Sequence, residues 1–291
     1  MTLPRLSVIT LTKNRAGMLK KHLDSLIGQT KSGDEIVIVD NGSTDNTFDV
    51  IKSFEKRLPI RLFTSRALGF PKLYNFAIKK AKNPIIVSFD DDCIAASHFL
   101  SRHRAAHTDG NLRVVQGAAK SIPKGNIYAD IMGDHYRNWF LMYMTKNNSM
   151  RTFDNKNVSF QKSLIVEYGQ YATYLGWGGD DIELGLRYHR LGVPIEFHPD
   201  ILVYHRERTT FTGFVQQHLR FARSDARLAR YLKEEKSLSV FVWYKIWLHT
   251  RSAVRREGLY LRTGQLTNAV TLPFLYLTLF FLRIWGYATS R

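Results

Sequence analysis

The chain has 291 residues, and 42 Lys or Arg against 25 Asp or Glu give it a formal net charge of +17. A 44% hydrophobic and 13% aromatic composition excludes wholesale disorder, and a single cysteine, Cys93, excludes an intrachain disulfide and fits a reducing compartment. The charge excess favours a polyanionic partner: nucleic acid, an anionic membrane surface or phosphorylated substrates.

The opening Met1-Thr2-Leu3-Pro4-Arg5 lacks the basic and apolar regions of a signal peptide, so a cytoplasmic location is expected. Leu6 to Leu11 reads as a strand. After the polar Thr12-Lys13-Asn14-Arg15, a helix carries Leu19, Leu23 and Leu26 on one face. Glu35 to Val39 is a second buried strand, ending at Asp40. The turn Asn41-Gly42-Ser43-Thr44-Asp45 offers a helix cap, and the helix after it turns Phe48, Ile51 and Phe54 inward. Ile60 to Phe63 is a third strand, and a helix over Leu73 to Ala81 leads to a fourth. Strands alternating with helices every ~25–30 residues are the mark of βαβ units and a parallel sheet. Their near-continuous apolar composition implies that both faces are covered.

The fourth strand, Ile85 to Phe89, ends in Asp90-Asp91-Asp92. Ligands of α/β folds bind at the C-terminal edge of such a sheet. Three adjacent carboxylates raise one another's pKa unless a cation or donors compensate, and a hard divalent ion suits carboxylate oxygen plus a substrate phosphate. A solvated acidic turn is the plainer alternative. Two common nucleotide fingerprints are missing: the first strand–helix turn is not G-x-G-x-x-G, and there is no G-x-x-x-x-G-K-[ST]. A dinucleotide dehydrogenase or P-loop enzyme is therefore disfavoured.

Val114-Val115 reads as a strand, Tyr136 to Met144 as an aromatic-rich helix, and Asn157 to Phe160 as a strand returning to the sheet. Gly176-Trp177-Gly178-Gly179-Asp180-Asp181-Ile182-Glu183 is the second chemically loaded stretch. Its glycines suit a loop that closes over a ligand, and its acids open a helix that Gly192 ends, although an Asp there is also ordinary capping. Ile201 to His205 is a further strand, with an imidazole at its end that can complete a carboxylate metal set.

From Phe211 to Tyr231 the apolar spacing is helical, with Arg220, Arg223, Arg227 and Arg230 on the remaining surface. Leu272 to Leu282 is almost wholly apolar and is followed by Trp285 and Tyr287. It is short for a span of ~20 residues. A helix lying in the plane of a membrane surface is the first expectation; a packed C-terminal helix, a contact between copies in a homo-oligomer, and a true span are the others. The domains expected are 1–210, catalytic, and 211–291, a helical, basic and apolar extension peripheral to the inner face of the membrane.

Four of these stretches together resemble glycosyltransferase family 2, inverting enzymes of the GT-A fold. They are Ser7 to Arg15, Val39 to Asp45, Ser88-Phe89-Asp90-Asp91-Asp92 in the place of a D-x-D motif, and Gly176 to Glu183 in the place of G-W-G-G-E-D-x-E. The resemblance implies an α/β fold with a mostly parallel central sheet flanked by helices, ending in a helical C-terminal extension. It implies transfer of a sugar from a nucleotide-diphosphate donor, UDP-sugar first, to the hydroxyl of a cell-surface or lipid-linked glycan. Asp40 would accept a hydrogen bond from the base, with Thr12 and Arg15 lining the same pocket and Lys72 approaching the nucleotide. Asp90 would face the ribose and sugar, and Asp91 lies with it in the donor site. Asp92, with His205 as a second ligand, would hold a divalent Mn²⁺ or Mg²⁺. Asp181 matches the catalytic base, and Trp177, Gly178 and Asp180 the acceptor side, Asp180 standing where Glu is usual. The rival readings are a non-catalytic protein of the same fold docking on a membrane or polyanion, and nucleic-acid binding. The intact acidic motifs oppose the first, and the absence of stacking platforms or binding motifs opposes the second.

Overall fold

The computed structural model describes residues 3–66, 69–231 and 235–289. The chain divides into two compact units: residues 1–120, 143–176 and 180–206 form the first, and 121–142, 177–179 and 207–291 the second. The division is thus not a single cut near residue 210, because a middle helix groups with the C-terminal ones.

The first unit is built on a sheet of eight strands: β1 (Leu6–Thr12), β2 (Glu35–Asp40), β3 (Ile60–Thr64), β4 (Ile85–Phe89), β5 (Cys93–Ala95), β6 (Val114–Ile122), β7 (Asn157–Gln161) and β8 (Ile195–Arg206), in the order β3-β2-β1-β4-β7-β6-β8-β5. The first four strands are parallel, as the βαβ rhythm requires. β7 then runs antiparallel to both β4 and β6, and β5 antiparallel to β8, so the sheet is mixed. Every residue of β2 and β4 is buried, which is why these strands read as unbroken apolar runs.

The crossover helices are α1 (Ala16–Leu26), α2 (Thr47–Phe54) and α3 (Phe70–Lys80), followed by α4 (Phe99–Ala105). Leu19, Leu23 and Leu26 of α1 and Ile51 and Phe54 of α2 join Val8, Ile36, Ile38, Val87 and Phe89 in one core. Phe48 corrects the expected pattern: it is 52% exposed, with Lys52 Nζ 5.5 Å from its ring centre. The helix starts at Thr47, so the inward stripe is Thr47, Ile51 and Phe54, and Phe48 falls one position round the cylinder.

The same unit holds α6 (Ser163–Glu167), a 3-10 turn at Thr173–Leu175 and α7 (Asp180–Arg190). α7 packs closely on the chain at Thr152-Phe153, since a Cβ on Gly185 would fall 2.6 Å from Thr152 Cα. The second unit contains α5 (Ile127–Tyr143), α8 (Phe211–Tyr231), α9 (Glu235–Arg262) and α10 (Leu266–Thr289). Ile127, Ile131, Phe214, Tyr260, Leu272, Leu275 and Leu279 form its core. Arg255 and Arg256 of α9 both pair with Asp134 of α5, which ties that helix to the C-terminal ones. The side chains of Tyr231 and Tyr287 lie outside the described residues.

Candidate active site

β4 carries its apolar run to the sheet edge and delivers Asp90, Asp91 and Asp92 one after another into the turn before β5. The three do not share one environment. Asp90 is deeply buried, and its Oδ1 accepts a hydrogen bond from Tyr74 of α3 at 3.0 Å. Burial first, then the neighbouring Asp92, pushes its pKa up to about 7. Asp91 is pushed up to about 6, chiefly by burial, with Arg15 opposing the rise. Burial also opposes ionisation of Asp92, but His205, Arg15 and Lys156 together hold it well below the usual carboxylate range.

Arg15, in the first strand–helix turn, reaches this cluster. Its Nη1 lies 2.6 Å from Asp91 Oδ1 and 2.9 Å from Asp92 Oδ2. Burial opposes its charge, and the acidic neighbours outweigh that and raise its pKa. The Thr12 hydroxyl is buried beside Asp91 and favours the ionised form of that carboxylate. Asp40, also buried, accepts from the Ser43 amide at 3.0 Å and the Ser43 hydroxyl at 2.5 Å. Lys72 is exposed in the first turn of α3, two residues before Tyr74.

His205 comes from β8, which pairs with β5 in the register Cys93 opposite His205. Its Nε2 stands 3.3 Å from Asp92 Oδ1, and the ligand atoms of Asp92, Cys93 and His205 lie within 4.8 Å of one another. A carboxylate oxygen and an imidazole nitrogen at that separation suit two ligands of one divalent ion. Cys93 is a poor third ligand: burial, then Asp92 and Asp90, raise its pKa well above the ordinary value and keep the thiol protonated. The donor set therefore fits Mn²⁺ or Mg²⁺ held by Asp92 and His205.

Asp181 opens α7. Its Oδ1 accepts from the Ile182 amide at 2.8 Å and its Oδ2 from the Asn155 amide at 3.4 Å. Burial, and then Asp154, push its pKa up to about 6 against the pull of Lys156. The same Lys156 and Asp154 act on Asp90. Asp90 and Asp181 therefore face one basic–acidic turn, Asp154-Asn155-Lys156, within the first unit. Tyr171 closes the ring: it stacks on Tyr74 at 5.0 Å, donates to Asn155 Oδ1 at 2.6 Å, and senses Asp180, Asp181 and Asp90. Asp180 is itself buried. Trp177 and Gly178 fall in the second unit, where Arg227 Nη2 donates to the Trp177 carbonyl at 3.2 Å and Gly178 lies against the Ser224 hydroxyl.

Residues 7–169, more than half of the chain, match the family model for glycosyl transferase family 2. The chain belongs to that family. It is 29% identical over 225 residues to validoxylamine A glucosyltransferase of Streptomyces hygroscopicus subsp. jinggangensis, covering 66% of this chain and 53% of the relative. It is 24% identical over 237 residues to chondroitin synthase of Pasteurella multocida, covering 69% of this chain and 25% of that protein. The chain thus spans about half the length of the first relative and a quarter of the second. In fold it is similar to mannosyltransferase PcManGT from Pyrobaculum calidifontis, solved with GDP-Man and Mn²⁺. The TM-score is 0.65 at 18% identity, covering 98% of this chain and 88% of that one. The fold of this family 2 chain is therefore GT-A.

Several residues of the site escape sequence reasoning. Tyr74, Asp154, Asn155, Lys156 and Tyr171 belong to it by contact, yet none stands in the stretches that carried the resemblance. One signal was present for the 154–156 turn: it immediately precedes the strand expected at Asn157, which returns antiparallel to β4 and brings the turn to the Asp90 end, Phe89 opposite Asn157.

Proposed function

We propose that this family 2 chain is an inverting, metal-assisted glycosyltransferase that moves a sugar from a nucleotide-diphosphate donor to a hydroxyl of a glycan acceptor. The observation that carries the reading is that Asp181 accepts from the Asn155 amide while the pairing of Phe89 with Asn157 brings the same 154–156 turn to the acidic end of β4. Two acidic sites with different tasks are what such a transfer needs.

Asp92 and His205 would hold the cation. When bound, a divalent ion neutralises the charge that builds on the departing diphosphate. Arg15 adds a fixed positive charge beside the same turn and steers the diphosphate to it. Asp40, oriented by Ser43, binds the base, and Thr12 lines the same pocket. Asp90, steadied by Tyr74, faces the ribose and sugar. Asp181 takes the proton from the acceptor hydroxyl, with its pKa near 6 keeping it mostly ionised yet basic at neutral pH. Attack from that side, in line with the departing diphosphate, inverts the anomeric carbon. Asp180 serves the acceptor side.

A UDP-sugar is the expected donor; GDP-mannose, bound by the structural neighbour from Pyrobaculum calidifontis, is its rival. Thermal shift with each nucleotide sugar, with and without Mn²⁺, tests the reading. A Mn²⁺-dependent rise in melting temperature with one donor supports it, and no shift with any donor overturns it.

A further inference from the structure

The outward surface of the second unit is unlike that of an ordinary water-facing bundle. Along α10, Leu266, Val270, Phe274, Leu277, Phe281 and Ile284 recur at intervals of three and four and are each at least half exposed. Trp285 continues the stripe at 61% exposed. The sole charged residue of α10, Arg283, points the other way, into a buried pair with Asp225 of α8 at 2.9 Å. Trp247, Val254 and Leu261 add exposed apolar side chains on α9, where Arg251 sits 5.6 Å from the Trp247 ring centre. On α9, Arg251 and Arg262 are exposed, as are Arg223 and Arg230 on α8, whereas among the described residues of this unit no Asp or Glu is.

We propose that the α9–α10 face docks on an anionic lipid bilayer and lies flat in its interface. An apolar stripe with arginines and an indole, and with no exposed carboxylate among the described residues, matches acyl chains flanked by anionic headgroups. Residues Leu266–Gly286 are long and apolar enough to cross a membrane by composition alone, with a mean hydropathy of 1.5. The packing of α10 opposes a crossing. Leu272, Leu275 and Leu279 are buried in the unit's core, Gly286 abuts Ala222 so closely that a Cβ would fall 2.4 Å from it, and leaving α8 would strip Arg283 from Asp225. A second copy fits this face poorly, since it would set arginine against arginine with no described carboxylate exposed to receive them. Nucleic acid fits poorly too, because the α10 stripe offers phosphates no cation.

The test is co-sedimentation of the full chain with vesicles of phosphatidylcholine alone or mixed with phosphatidylglycerol. The chain should pellet with the mixed vesicles and much less with the neutral ones. Phe274→Ser combined with Phe281→Ser should weaken partitioning by about tenfold or more, and Arg251→Glu with Arg262→Glu should weaken it selectively for the anionic vesicles. Phe48→Ser, equally exposed but on the first unit, should change nothing. All of these sites are at the surface, so an unchanged melting curve checks folding. Failure of the parent chain to pellet, or equal pelleting of the double Phe variant, overturns the proposal. So does a dimer, by light scattering, that the Phe substitutions dissociate, which would assign the face to a second copy. The readout is partitioning, so its failure leaves the sugar-transfer reading untouched.

Discussion

Replacing Asp181 by Asn separates catalysis from stability. Its carboxyl pKa stands at about 6 against an ordinary 3.8. At 1.36 kcal/mol per unit, holding the charge in the folded chain costs about 3 kcal/mol at neutral pH. The sign follows from linkage: a carboxyl whose folded-state pKa is raised is destabilising once ionised. The penalty is absent below the unfolded value and fully present above about 6. Asn keeps the shape and still accepts from the Ile182 amide, but cannot ionise, so the penalty disappears. An amide beside Lys156 returns part of it, since that ammonium loses one of its carboxylates. The melting temperature of Asp181→Asn should therefore be equal to or a few degrees above that of the parent at pH 7. Donor affinity should be unchanged, and turnover should fall by roughly 10²–10⁴, the usual worth of a general base. Calorimetry, donor titration and a product-formation assay read the three quantities. Retained turnover would refute the base assignment. A joint fall in melting temperature and donor affinity would mean that Asp181 is a structural member of the 154–156 turn.

Asp92→Asn and His205→Ala should each weaken Mn²⁺ binding by about tenfold or more, read by titration calorimetry without donor, and the double variant should add little to either. The parent enzyme's kcat/KM should fall as pH drops below about 6, as Asp181 takes up its proton. In Lys156→Met the acid limb should move to higher pH by about one unit, because the ammonium that favours the carboxylate is gone; a limb that stays put would remove Lys156 from the account. Gly69→Ala should cost upwards of about 1 kcal/mol of stability in a urea melt, since Gly69 has φ +93° and a Cβ there would fall 2.8 Å from the Gly176 carbonyl oxygen.

The parallel half of the sheet was legible because β2 and β4 are buried throughout and β1 nearly so, which leaves mainly apolar runs, while the half-buried β3 follows from its place in the βαβ rhythm. The antiparallel half was less so: β6 is buried for four residues and then opens, and β8 alternates irregularly, so neither leaves a clean period. Asp40, the acidic triplet, Asp181 and His205 could be picked out because each ends a strand or opens a helix, where a fold of this kind presents chemistry. Lys156 and Tyr171 could not, since they enter the site through tertiary contact and nothing in their neighbours marks them. Phe48 misled for a smaller reason: the inward stripe is Thr47, Ile51 and Phe54, and Phe48 stands about 100° round the helix from Thr47, so only that one assignment fails. Where Arg15 points was likewise beyond the sequence, for only the folded turn sets its guanidinium between Asp91 and Asp92.

Three consecutive aspartates at one strand end would be untenable if they behaved alike, and the fold prevents that by giving them different partners. In the turn between β4 and β5, Asp90 meets Tyr74, while Asp91 and Asp92 both meet Arg15. Burial then keeps Asp90 and Asp91 partly protonated near neutrality, and His205 and Arg15 keep Asp92 ionised. At neutral pH the turn therefore carries fewer than three full negative charges, Asp90 being about half protonated. That matters because a dianionic ligand could not approach three ionised carboxylates in a site of low dielectric without several kcal/mol of repulsion. His22 supports the arrangement from beneath. Its ring nitrogens contact the Cys93 carbonyl at 3.1 Å and the Thr10 hydroxyl at 3.0 Å, and burial lowers its pKa to about 4. A neutral imidazole there ties the acidic turn to β1 without adding a charge that would upset the balance among the three.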